Sequence, residues 1–115
     1  MEEFSELENR LKYGSENNDI ISRMFNFSNE RGVNFCVDNI LQYATRFNSN
    51  ATKAKNDADI FKMLNYCSRA ISQNKNESYR SLLNEIKELI QDKRFNIVCD
   101  KCFYLGGKCF TTYNP

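Results

Sequence analysis

Near the C-terminus the chain reads Cys99-Asp100-Lys101-Cys102, and Cys109 follows seven residues after Cys102. A C-x-x-C turn can present two thiolates to one tetrahedral zinc ion at about 2.3 Å each, and a returning hairpin arm can bring a third. A structural zinc site takes four ligands. Because the chain has no histidine, the fourth must be Cys67, Cys36, a carboxylate such as Asp100, or a residue of a partner chain. With Cys67 in that place, the candidate metal ligands are Cys99, Cys102, Cys109 and Cys67.

Two other readings stand beside zinc. The thiols can be reduced and packed among Phe95, Phe103 and Phe110, or Cys99 and Cys102 can form a disulfide or redox pair, which would make the chain a thiol oxidoreductase. A redox C-x-x-C of the thioredoxin kind opens a helix in a βαβ context, whereas this one follows a chain of helical segments. Cys36 and Cys67 each fall on an apolar helical stripe, where cysteine behaves as a small buried hydrophobe.

The absence of histidine removes the commonest general base and every Ser-His or Cys-His nucleophile pair. Phosphate-binding glycine loops are missing too, since Gly106-Gly107 lacks the flanking spacing. Asp57 with Asp59, and Glu85 with Glu88, are carboxylate pairs, but each lies on the polar face of an expected helix. Acid–base work needs one carboxyl desolvated, so these read as solvated surface and the chain as a non-enzyme.

The tail offers one further constellation. Lys93, Arg94, Lys101 and Lys108 are interleaved with Phe103 and Tyr104, the pairing of cations and aromatic faces that contacts phosphates and stacks on bases. The alternative is that the aromatics close the core and the lysines are solvated.

Apolar periodicity places these residues. Helical stripes are expected over Glu2 to Tyr13 (Phe4, Leu7, Leu11) and Asp19 to Glu30 (Ile20, Ile21, Met24 and Phe25 inward, Asn18 as cap, Gly32 as stop). A third runs over Phe35 to Phe47 (Cys36, Val37, Ile40, Leu41, Ala44, with Asn34 as cap). A fourth starts between Thr52 and Asp57 and ends near Ser72, with Ile60, Leu64, Cys67 and Ile71 inward. The widest apolar face belongs to a fifth, capped by Asn76 and running to Gln91, which is therefore expected at the centre.

After Asp92 the pattern alternates, and Gly106-Gly107 between two short aromatic runs predicts a type I′ hairpin. The expected fold is mainly α: a compact bundle of four to five short helices (residues 1–92) with a small cysteine-containing β-hairpin (residues 93–115) packed on it as one domain.

With 115 residues, 41% hydrophobic and 27% charged, the composition is that of a folded globular chain. Sixteen asparagines and a single proline suggest the coding bias of an AT-rich genome, such as those of some viruses and parasites, and that abundance accounts for the sequons at Asn26, Asn50 and Asn76. Net charge is +1 and the pI 7.6, which does not demand nucleic acid.

Neither a membrane-length apolar run nor a leader is legible in Met1 to Leu11, so no membrane partner and an intracellular, cytoplasmic or nuclear setting are expected. The function expected from all this is that of an accessory or regulatory protein that binds another protein. Phe27, Tyr43 and Phe47 are candidate contacts of a homodimer, and a nucleic-acid-binding regulator is the alternative.

Overall fold

The computed structural model describes residues 19–108. Five helices follow one another: α1 (Ile20–Phe27), α2 (Asn29–Arg46), α3 (Lys53–Gln73), α4 (Glu77–Gln91) and α5 (Phe95–Tyr104). Four-fifths of the described residues are helical and none is in a strand. The expected helix at Glu2 to Tyr13 lies outside the described residues.

Caps set the helix starts. The Asp19 carboxylate accepts from the Ser22 N–H at 2.9 Å and opens α1, the task expected of Asn18. Thr52 caps α3 and Asn76 caps α4, the latter accepting from both Ser78 and Tyr79. Ser28 serves two helices. Its backbone N–H donates to the Met24 carbonyl to end α1, while its hydroxyl accepts from the Arg31 N–H to begin α2.

That shared residue corrects one expectation. Gly32 is not a stop and Asn34 is not a cap, because α2 runs through both as one 18-residue helix. Gly32 instead lets α1 approach: a Cβ there would collide with the Phe25 ring. The glycine is required by a contact, not by a turn.

The core is built chiefly on α2, which packs against α1, α3 and α5. Val33, Cys36, Val37, Ile40 and Leu41 of α2 are fully buried, with Met63 and Cys67 from α3, Leu83, Ile86 and Ile90 from α4, and Val98 and Cys102 from α5. The central helix is therefore α2, not α4. Position follows from the number of neighbours, and among the described helices α4 packs chiefly against α3 and α5.

Two polar clamps hold the first two helices to the third. Arg69 on α3 binds the buried Asp19 carboxylate with both guanidinium nitrogens, at 2.5 and 2.9 Å, and the second nitrogen also donates to the Ser22 hydroxyl. At the other clamp the buried Asn74 accepts from the Asn29 side chain at 2.9 Å, while Asn29 accepts from the Lys75 N–H. Asn74 also donates to the Asn76 carbonyl, so three asparagines tie the α1–α2 corner to the α3–α4 turn.

The expected β-hairpin is corrected. Its first arm, Cys102 to Leu105, is the last turn of α5 and its cap, so no strand forms there; its second arm beyond Lys108 lies outside the described residues. Gly106-Gly107 ends a helix instead. The Gly106 N–H donates to the Phe103 carbonyl at 3.0 Å and the Gly107 N–H to the Cys102 carbonyl at 2.9 Å, the paired bonds of a Schellman cap. Gly106 sits at φ 82°, and a Cβ at Gly107 would stand 2.8 Å from both the Leu41 side chain and the Cys102 carbonyl. A glycine pair satisfies a helix cap as well as a hairpin turn, and the flanking aromatics decide nothing between them.

The same cap recurs after α4 without a glycine. The Lys93 and Arg94 N–H groups donate to the Ile90 and Leu89 carbonyls, and Lys93 takes the left-handed conformation at φ 60°. An L side chain there is strained by roughly 1 kcal/mol. Lys93→Gly is therefore expected to stabilise the fold slightly, by up to about 0.5 kcal/mol, after the added unfolded-state entropy of glycine is set against the relieved strain. A denaturant midpoint that falls in this variant would contradict the cap.

Candidate functional site

The four described cysteines do not share one environment. Cys99 and Cys102 lie three residues apart on α5, with Cys99 half-buried and Cys102 fully buried beside Val98 in the core. Cys36 and Cys67 are fully buried, and the Cys67 thiol donates to the Leu83 carbonyl at 3.2 Å. Burial pushes the Cys36 and Cys67 thiols up to about 12, and it moves Cys102 in the same direction, an effect to which neighbouring Cys99 and Cys67 add. These three are protonated, packed thiols.

Among the described residues no three His, Cys, Asp or Glu side chains are placed to hold a metal ion. Of the four candidate zinc ligands, Cys109 lies outside the described residues, Cys67 and Cys102 are fully buried, and Cys99 is half-buried. Reactivity reports this directly. A brief alkylation pulse at pH 8 is expected to modify Cys99 well before Cys36, Cys67 or Cys102, which must wait for the chain to open. Peptide mapping that found Cys102 modified as fast as Cys99 would place its thiol outside the core.

The basic and aromatic residues of the tail are spread apart. Lys93 and Arg94 precede α5, and Tyr104 ends it, about 15 Å further along the axis. Lys101 pairs with Glu85 of α4 at 3.2 Å. Phe103 and Tyr104 are exposed, as is Lys108, whose backbone N–H donates to Asp38 at 2.6 Å. Of the candidate carboxylates, Asp57 and Asp59 each bind a lysine one turn back, Lys53 and Lys55; the Asp57 side chain is 44% exposed and that of Asp59 13%.

A different surface gathers the open geometry. Between α1, α2 and the turn after α5 lies a groove of about 360 Å³ lined by Met24, Arg31, Asn34, Phe35, Asp38, Gly106 and Lys108. Burial raises the Asp38 carboxyl above its ordinary range, although the Lys108 N–H and charge pull it down. Arg31 lies with its guanidinium carbon 5.0 Å from the centre of the Phe27 ring, and Phe27 is 75% exposed.

Phe27 closes a stripe on α1. Ile21 faces the core, but Ile20, expected inward, is 42% exposed, and Met24 is half-buried at the groove. Ile20, Met24 and Phe27 follow the i, i+4, i+7 spacing of one helix face. The other two candidate dimer contacts are used within the chain. Phe47 stacks on Phe95 at 4.3 Å, and Tyr43 is buried under the cations of Arg46 and Lys62.

Of the residues that line this groove, Lys108 was a candidate site residue from the sequence, whereas Met24, Asn34 and Gly106 were read only as structural. The missing signal was present: Arg31, Asn34, Phe35 and Asp38 share one helical face at i, i+3, i+4 and i+7. Taking Gly32 as a stop cut that face in two. Comparison of the chain with protein-family models, curated proteins and solved structures finds no match.

Proposed function

We propose that the chain is a non-enzymatic accessory protein that binds another protein through the α1 stripe and the groove beside it. The observation that carries this reading is Phe27: a large aromatic side chain left mostly in water, under an arginine, at the edge of an open groove. Aromatic residues and arginine dominate the energetics of protein interfaces, and an exposed apolar cluster beside a concavity is where a partner gains most. The buried, protonated thiols and the lack of histidine support a binding role over a catalytic one.

The test is co-purification from the cells that make the protein. Phe27→Asp with Arg31→Glu is expected to release bound protein, whereas Glu88→Lys, on the exposed side of α4, leaves it bound. Equal retention by both variants would remove the α1 face from the account. Bound material that is nucleic acid, released steeply as salt rises, would favour the alternative reading instead.

A further inference from the structure

We infer that the α1 stripe and the groove beside it take an acidic amphipathic helix of the partner, one whose apolar residues at i, i+4 and i+7 are flanked by aspartates or glutamates. The inference rests on the proposed binding role of this face and adds the chemistry of what it binds.

The shape comes from the stripe. Ile20, Met24 and Phe27 set three apolar side chains along about 10.5 Å of helix axis, two turns of α1. A second helix laid along them meets them with side chains at the same spacing, and the groove beside Met24 gives it a concave edge to settle against.

The charge comes from what borders the stripe. At about 100° per residue, Arg23 lies on the flank of the stripe away from Met24, and it is exposed. On the Met24 side stand Arg31 and Lys108, both exposed and both lining the groove. Among the described residues none of these three cations forms an ion pair. The neighbouring acids do little to offset them: α1 contains none, Arg69 holds Asp19, and Asp38 accepts the Lys108 N–H. An apolar strip with cations on both sides is the complement of an apolar strip with carboxylates on both sides.

Arg31 carries a separate argument. It is the third residue of α2, where a cation opposes the positive end of the helix dipole, so its charge does not serve the helix. Its guanidinium lies over the Phe27 ring, which holds it at the rim of the groove and leaves its N–H donors for a carboxylate. A nucleic acid fits this face less well. Three cations are few for a phosphate backbone, and the carboxylates of Asp38 in the groove and Glu30 next to Arg31 repel one.

Panning random peptides displayed on phage against the immobilised full-length protein, with Phe27→Asp as the counter-screen, tests the inference. Sequences held by the parent and not by Phe27→Asp are expected to be acidic, with apolar residues at i, i+4 and i+7. A synthetic peptide from that pool should bind Arg23→Glu and Arg31→Glu roughly three- to tenfold more weakly by fluorescence anisotropy, with the helical circular dichroism of both variants unchanged. Replacing the acids of the peptide by lysines should reverse that preference. A Phe27-dependent pool that is neutral or basic overturns the inference and leaves the binding role standing. So does an acidic pool whose affinity neither arginine variant alters. A single-stranded oligonucleotide that binds this face more tightly than any selected peptide overturns it in favour of nucleic acid. A library that yields no Phe27-dependent sequence counts against both the inference and the α1 face.

Discussion

Replacing Arg69 by methionine is expected to destabilise the fold by about 3 kcal/mol at pH 7, because it strands a charged carboxylate away from water. Asp19 is only 3% exposed, and Arg69 supplies two of its hydrogen bonds. The value sits at the low end for a broken buried pair because 16% of the Arg69 side chain is exposed. Asp19→Asn in the same chain should recover part of the loss, since an amide needs no counter-charge.

The pH dependence has a definite sign. Burial pushes the Asp19 carboxyl up, but hydrogen bonds and charge from Arg69, with the Ser22 N–H, hold it below its ordinary value. Its contribution is therefore fully present above the unfolded value, near 3.9, and is lost as pH falls through the lower folded value. Without Arg69 the folded carboxyl titrates higher, so the difference between parent and Arg69→Met should shrink below about pH 4. Asp38 works in the opposite sense: its raised value adds stability as pH falls. Denaturant titrations at pH 7 and pH 3 measure both effects, and a difference that did not shrink would mean that Asp19 is not the group stranded.

Ile86→Ala is expected to lose about 2–5 kcal/mol, the range for emptying a buried aliphatic position. Ile86 is fully buried on α4, the helix that packs against both α3 and α5. The cavity would open on two helix contacts at once, and α5, with only ten residues, has little stability of its own. Local loosening should appear first at α5. Hydrogen exchange that quickens across Phe95–Tyr104 ahead of α2 supports this order, and a loss under 1 kcal/mol would place Ile86 at the surface.

What could be read from the sequence was whatever one helix decides alone. The stripe of α2 from Cys36 to Ala44, the cap at Asn76 and the face of α4 all follow local periodicity and are found as expected. On α3 the expected stripe Ile60, Leu64, Cys67, Ile71 is fully buried at Cys67 and partly buried elsewhere, while Met63, Tyr66 and Ala70 are buried. That helix is packed by both α2 and α4, so its buried arc is wider than one stripe.

Glycine was read least well, because one residue type answers three demands. Gly32 clears a path for Phe25, Gly106 takes a left-handed cap, and Gly107 avoids Leu41. Only neighbours in space tell these apart. The asparagines, whose number reflects coding bias, include three that build the clamp between two turns. The cysteines drew attention by their spacing along the chain, yet three of them are core residues. The groove went unread because the helix that carries it was divided at Gly32.

The central claim is that Phe27 marks the working surface, and site-specific photo-cross-linking tests it most directly. A photoreactive side chain placed at position 27 of the full-length protein, in the cells that make it, is expected to give a discrete protein adduct whose attachment sites map to one partner. The same group at position 88, on exposed α4 surface, should give none. Equal adducts from the two positions, or adducts from position 88 alone, would contradict the account.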